Sequence, residues 1–280
     1  MSSAVALAVL FAALCHASWN AIVRIGGDKI VAITLLVVAA GVLAIPLLFL
    51  FPMLPSAAWP YLIASVIVHA GYNTTLAMSY HHGELTRVYP LLRGSAPLTT
   101  LVVSLLFLNE AVDSGEILGI VVLAVGIMTL TLEGGWRVLI VSPQAVLYAA
   151  ATSLCITAYT LSDGLGARLA DNAHQYVAWL FVFDMLPMLA LVLIVKRQAF
   201  ASALRSSWRS GLAAGALSLV AYWIAIWAMT VAPIPLVAAL RETSILFALF
   251  IGMLWLGEKV TPIRAASIAL VLAGLALMRL

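Results

Sequence analysis

The 280-residue chain is 65% apolar and only 9% charged, with a mean hydropathy of +1.15. A water-soluble domain carries about 25% charged residues, so there is too little polar side chain to clothe a globule, and much of the surface must face hydrocarbon. The net charge of +3 would point toward nucleic acid in a soluble protein but reads here as basic loops between spans. Cys15 and Cys155 both lie inside apolar runs and suggest neither a disulfide framework nor a metal site. Residues 1–9 hold no Lys or Arg, so no cleavable signal peptide is expected.

A helix needs about 20 mainly apolar residues to cross the bilayer core. Ten stretches qualify: 4–24, 30–51, 58–80, 85–108, 115–132, 143–162, 174–195, 209–231, 236–256 and 262–279. The joints are short and carry turn or charge signals, as in Gly26-Gly27-Asp28-Lys29, Pro52 to Pro55, Asn109-Glu110, Glu133-Gly134-Gly135 and Gly257-Glu258-Lys259. One set of alternate loops holds ten basic residues: Arg24, Lys29, Arg87, Arg137, Lys196, Arg197, Arg205, Arg209, Lys259 and Arg264. The opposite set holds two, Arg168 and Arg279. The positive-inside bias makes the first set cytoplasmic and, with an even number of spans, puts both termini on the extracytoplasmic side of the cell (inner) membrane.

The chain also repeats itself. Leu92-Arg93 leads to Leu106-Phe107-Leu108-Asn109-Glu110-Ala111-Val112 and a helix with Gly126. Leu240-Arg241 leads to Leu254-Trp255-Leu256-Gly257-Glu258-Lys259-Val260 and a helix with Gly274, all at one offset of 148. Pro46-Leu47-Leu48 matches Pro187-Met188-Leu189 at a smaller offset, and Leu10-Phe11-Ala12-Ala13 matches Leu147-Tyr148-Ala149-Ala150 more weakly. Leucine-rich helices look alike by chance, but an Arg and a Glu held at one interval twice do not, because both are rare here. An odd number of helices per repeat forces opposite insertion. The expected fold class is therefore an all-α membrane protein: ten transmembrane helices as two inverted five-helix repeats, 1–133 and 134–280, around a central cavity.

This five-plus-five pattern, with a glutamate closing span 4 in Leu108-Asn109-Glu110 and span 9 in Leu256-Gly257-Glu258-Lys259-Val260-Thr261, resembles the drug/metabolite transporter superfamily, and most closely its EamA-type members. The resemblance covers essentially the whole chain. Many members open span 1 with Trp-Gly or Trp-Ser, whereas this chain has His16-Ala17-Ser18-Trp19-Asn20. The resemblance implies that spans 1, 3, 4, 6, 8 and 9 surround the cavity and that spans 5 and 10 pack outside it.

A charge near the middle of a membrane helix costs on the order of 2.5–3.5 kcal/mol on insertion scales, so it needs a partner or a wet cavity. Arg93 enters span 4 from the cytoplasmic end and Arg241 enters span 9 from the other, which places them toward opposite mouths of one route. Both are expected in early helical turns, where the dipole opposes a cation, so a carboxylate or an anionic solute group should compensate them. Snorkelling toward the interface is the competing account. Glu242 could neutralise an arginine or carry a proton. Asp184, read as the deepest acid in the chain, suits proton coupling or an interhelical hydrogen bond equally well. His16, Trp19 and Asn20 share one face of span 1, and His69, Tyr72 and Asn73 share one face of span 3. Tyr89, Tyr159, Trp223 and Trp227 add aromatic walls suited to organic or cationic ligands.

The predicted route is thus lined by His16, Trp19, Asn20, His69, Tyr72, Asn73, Tyr89, Arg93, Tyr159, Trp223, Trp227, Arg241 and Glu242, with Asp184, Glu242, His16 and His69 as groups that could couple protons. Glu110 and Glu258 are expected to stabilise the following helix N-termini. Pro46, Pro97 and Pro187 are expected to kink their helices, and Gly115-x-x-x-Gly119 and Gly211-x-x-x-Gly215 to allow close packing. His81, His82 and Glu84 are read as solvated loop residues, and Trp59, Trp136 and Trp208 as interface belt.

The expected function is a secondary transporter moving a small polar or amphipathic metabolite by alternating access. An amino-acid-like solute and export are favoured, with possible proton coupling; an uncoupled facilitator or exchanger of anionic metabolites is the alternative. A membrane-embedded enzyme is disfavoured because Gly-x-Ser-x-Gly, His-Glu-x-x-His and paired intramembrane aspartates are missing from the sequence. No cofactor, metal or nucleic acid is expected. The partners are a small-molecule substrate and the lipid bilayer, and the chain is read as a monomer or homodimer.

Overall fold

The computed structural model describes residues 1–25, 28–82, 85–134, 143–256 and 259–278. Gly26, Gly27, Glu84, Gly135, Trp136, Arg137, Gly257, Glu258 and Arg279 lie outside the described residues, as do the side chains of His81, His82 and Arg87. Every regular element among the described residues is helical: α1 (Ser3–Ile25), α2 (Lys29–Ala44), α3 (Trp59–His82), α4 (Leu85–Phe107), α5 (Ser114–Thr129), α6 (Pro143–Leu169), α7 (Ala173–Val195), α8 (Arg197–Ser206), α9 (Trp208–Val231), α10 (Ile234–Arg241), α11 (Ser244–Leu256) and α12 (Pro262–Leu277), with short 3-10 segments between some of them.

Eight helical stretches are long and apolar enough to cross a membrane, among them Lys29–Phe49, Pro143–Leu169 and Ile234–Leu254. α12 is apolar but has 16 residues, and α3, with 24 residues, is outside the eight and carries His69, Tyr72 and Asn73. The outer surface bears large apolar side chains such as Leu7, Phe49, Phe107, Ile194 and Leu254, all more than 60% exposed. Such a girdle belongs against lipid tails.

Several elements differ from the expected spans. Pro46 does not kink α2 but falls in a 3-10 segment, Ile45–Phe49, that ends it. Pro97 and Pro187 do lie inside helices, joined in α4 by Pro90. α6 runs to Leu169 rather than 162, with Asp163 and Gly164 inside the helix. The stretch after α7 forms α8, a basic helix lying on α2 and α7 through Phe200. The expected span at 236–256 is two helices, broken at Glu242-Thr243.

Lipid tails are as apolar as leucine, so these helices associate through close packing and polar contacts rather than through the hydrophobic effect. α5 lies along α12 with backbones nearly touching. A Cβ added at Gly119 would lie 2.6 Å from the Gly274 carbonyl oxygen, and one added at Gly274 would lie 2.7 Å from that of Gly119. Seven residues along, Ser267 Oγ donates to the Gly126 carbonyl at 2.6 Å, so the helices run antiparallel. Gly211 and Gly215 likewise receive Leu35 and Ala39 of α2. Elsewhere α3 packs on α6, α1 on α9, α2 on α7, α4 on α6, and α1 on both α10 and α11. Thr99 and Thr100 of α4 hydrogen-bond Thr157 of α6, which pins that seam beside the broken helix.

Candidate functional site

The break in α10–α11 positions the site. Pro233 precedes α10 as its N-cap and Pro235, which lacks an N–H, sits in its first turn; the helix runs eight residues from Ile234 to Arg241. The chain then winds tightly: Glu242 and Thr243 N–H donate to the Ala239 and Leu240 carbonyls, each at 3.1 Å. Ile245 and Leu246 N–H return to Glu242 and Thr243 at 3.1 and 2.9 Å. Every one of these bonds is i to i−3, tighter than the α-helical turns on either side. Arg241 therefore sits at the carboxyl end of a helix, where the dipole favours a cation. This corrects the sequence-based placement of Arg241 in an early turn, which assumed one unbroken span.

Arg93 comes to the break from α4, between Pro90 and Pro97. Its Nε lies 2.7 Å from Glu242 Oε2, and its Nη2 donates to Ser244 Oγ at 3.0 Å. Arg93 and Glu242 are 8% and 6% exposed, so the pair is formed out of water. The Nε–H does not point along the contact, and Glu242 Oε2 has no hydrogen bond of good geometry. Tyr89 stands 5.8 Å from the Arg93 guanidinium. Arg241 turns elsewhere, 4.8 Å over the ring of Tyr222.

Two small cavities flank the pair. One, of about 10 Å³, is bounded by Arg93, Pro97, Thr100, Tyr159, Arg241 and Glu242. The other, of about 30 Å³, is bounded by His16, Asn20, Tyr89, Ser244 and Ala248. Each has room for about one or two waters at most.

A second polar cluster adjoins the first through Tyr222. Asp163 of α6 is 1% exposed and accepts hydrogen bonds from Tyr176 Oη at 3.1 Å and from Tyr222 Oη. Ser65 Oγ is 3.4 Å from His69 Nδ1, and His69 Nδ1 is 3.7 Å from Asp184 Oδ1. The His69 ring stacks on Tyr159 at 4.3 Å, and Tyr72 meets Tyr159 edge-on at 5.9 Å. Asp163, not Asp184, is thus the most buried acid among the described residues. Its signal in the sequence was the i, i+4 spacing from Tyr159, hidden by ending the span at 162.

Other predicted residues make their hydrogen bonds and ring contacts away from the Arg93–Glu242 pair, although His16 and Asn20 also bound the second cavity. Asn20 caps the His16 carbonyl of its own helix at 2.8 Å, and Trp19 meets His16 edge-on at 4.9 Å. Asn73 points to Met188 Sδ at 3.8 Å. Trp223 Nε1 lies 2.6 Å from His174 Nδ1, a partner the sequence reading missed, and Trp227 packs between two apolar clusters.

Ion pairs tie the two ends of the bundle. At one end Arg168 joins Glu110 at 2.6 Å and donates to the carbonyls of Met229 at 2.8 Å and Ala232 at 3.1 Å. Glu110 thus binds Arg168 rather than the α5 N-terminus, which Asp113 and Glu116 close with a reciprocal capping box. At the opposite end of α7, Lys196 pairs with Asp28, and Arg264 meets Glu133 at 2.6 Å. The hydrogen bond from Lys196 holds the Asp28 carboxyl below its ordinary pKa, with help from the Val31 and Ile30 amides.

No curated protein matches this sequence. A solved structure described as "Crystal structure of protein" superposes with a TM-score of 0.79 over 99% of this chain and 96% of its own, at 15% identity, which speaks for the fold alone. The profile of the EamA-like transporter family matches residues 3–132 and again 143–280. With a family match across nearly all of an all-helical, multi-pass membrane protein, the chain belongs to the EamA-like transporter family and is a membrane transporter.

Proposed function

We propose that the chain crosses the cell (inner) membrane ten times as two inverted repeats, 1–133 and 134–280, and exports a small amino-acid-like solute by alternating access. The observation that carries this reading is the Arg93–Glu242 pair at the break of α10–α11, with Arg241 across a small cavity from it. A discontinuous helix exposes backbone ends at mid-membrane, where coupled transporters bind their cargo. Two guanidiniums against one carboxylate leave a positive charge suited to a solute carboxylate, and Tyr89, Tyr159 and Tyr222 offer faces to its ammonium.

The repeat reading is supported by the α5–α12 contact. Gly119 and Ser267, like Gly126 and Gly274, are related by the offset of 148. The contacts Gly119–Gly274 and Gly126–Ser267 are therefore one contact made twice. Antiparallel packing of related helices fits opposite insertion. The pairings α1–α9 and α3–α6 are mates under the same relation. The basic loops favour both termini on the extracytoplasmic side.

Counterflow of a radiolabelled L-amino-acid mixture into proteoliposomes tests the reading. Exchange is expected in the native protein and its loss in Arg241→Ala/Glu242→Gln; undiminished flux in that double variant would remove these residues from the route.

A further inference from the structure

We propose that Asp163 is a positioning residue of the solute site: it holds the hydroxyl of Tyr222, and with it the ring against which the Arg241 guanidinium is set to receive a solute carboxylate. The inference rests on the transporter reading above and names the group that prepares its anion-binding arginine.

Arg241 is the arginine with capacity to spare. Arg93 takes up Glu242 at 2.7 Å and donates to Ser244 Oγ as well. Arg241 has no such partner: its guanidinium carbon lies 4.8 Å from the centre of the Tyr222 ring, and among the described residues it makes no hydrogen bond or ion pair. It also bounds the small cavity shared with Arg93, Thr100 and Tyr159. A guanidinium that rests on a ring rather than on an acceptor keeps its N–H fork for a carboxylate.

Tyr222 in turn is held from behind. Its hydroxyl donates to Asp163, and the same buried carboxylate accepts from Tyr176 Oη at 3.1 Å. Phe181 meets the Tyr222 ring edge-on at 6.0 Å. Tyr176 can reach Asp163 because Gly166, three residues further along α6, leaves room for its ring: a Cβ there would lie 2.4 Å from Tyr176 Cε2. Asp163 is thus gripped from α7 and α9 at once, and the order Asp163, Tyr222, Arg241 runs from α6 through α9 to the end of α10.

The carboxylate acts on the guanidinium in two ways. A phenol that donates to an anion is polarised, so its ring face becomes more negative and a better seat for a cation. The hydrogen bond also restrains the ring, so the guanidinium is presented in one place and loses less freedom when a solute binds. Asp163 bounds neither small cavity, so its part is played through Tyr222.

A carboxylate that merely tied α6 to α7 and α9 would steady the fold without sensing Arg241. A thermal-shift double-mutant cycle of Asp163→Asn with Arg241→Met separates the two roles, and it needs no solute. The shift of the double variant is expected to differ from the sum of the single shifts by about 2 °C. In a Tyr222→Phe background, which keeps the ring and removes the hydroxyl, the shifts should simply add. Additive shifts in the native background, or coupling that survives Tyr222→Phe, would overturn the proposal. Counterflow in proteoliposomes then compares labelled L-amino acids with their carboxamides. In Asp163→Asn and in Tyr222→Phe the half-saturating concentration of the acids is expected to rise about tenfold, with that of the carboxamides and the maximal rates little changed. Equal weakening for acids and carboxamides would be general damage and would reject the positioning role. Absence of native counterflow for every amino acid would reject the transporter reading, while the cycle still decides whether Asp163 sets Arg241.

Discussion

Arg93 Nε lies 2.7 Å from Glu242 Oε2, a contact between two residues 149 positions apart that joins α4 to the break of α10–α11. Taking both charges out of water is costly, and removing one leaves the other buried without compensation, at a cost of about 3–5 kcal/mol. Glu242→Leu is therefore expected to lower the melting temperature in detergent sharply. Arg93→Met/Glu242→Leu should restore most of it while abolishing amino-acid exchange, and a thermal-shift double-mutant cycle checks both. Additive losses, with the double variant's shift equal to the sum of the two single shifts, would show that the pair carries no coupling.

The α5–α12 seam predicts a purely steric effect. A Cβ at Gly119 meets the Gly274 backbone, which has no flexible side chain to move away. Gly119→Leu is expected to cost about 1–3 kcal/mol by overpacking, seen as earlier unfolding in denaturant. The same change at Gly71, where a Cβ would sit 3.8 Å from Cys155 Sγ, should be milder.

Arg168 spreads three contacts in the plane of its guanidinium, to Glu110 and to the carbonyls of Met229 and Ala232. A lysine ammonium cannot reproduce that fork. Arg168→Lys should therefore behave like Arg168→Gln, raising thiol labelling of a cysteine placed at Ala232. Labelling unchanged from the native background would show that this clasp does not close the end of the bundle.

The Asp28–Lys196 pair sets a pH dependence. The Asp28 pKa is lowered in the fold, so its contribution is present above the ordinary carboxylate value and fades as pH falls through the lowered one. Melting curves of the native protein and Asp28→Asn, taken from about pH 7 down to about pH 3, should converge on acidification. The pair is partly exposed, so the gap at neutral pH is small.

Much of this was legible in the sequence because a bilayer imposes a simple rule. Apolar stretches of span length marked most helices, and the Arg-to-Glu interval paired Arg93 with Arg241, whose neighbour Glu242 was read as able to neutralise an arginine. What escaped was tertiary. The break at Glu242-Thr243 follows no glycine or proline at that point, so span 9 read as continuous and Arg241 was given the wrong helix end. Asp163 lies just past the expected end of its span at 162, and hydrogen bonds from Tyr176 and Tyr222, on two other helices, make it tolerable inside α6. Trp223 sits well within a span, as a cavity residue should, yet its indole meets His174, a pairing that no local spacing announces.

The central claim is a solute site at the Arg93–Glu242 pair that opens to one side at a time, and two cysteines test it most directly. In a Cys15→Ala/Cys155→Ala background, Thr100→Cys reports the cavity on one side of the pair and Ala248→Cys the cavity on the other. The saturating L-amino-acid mixture should raise thiol labelling at one position and lower it at the other. Simultaneous labelling of both, indifferent to the mixture, would mean an open pore and contradict alternating access.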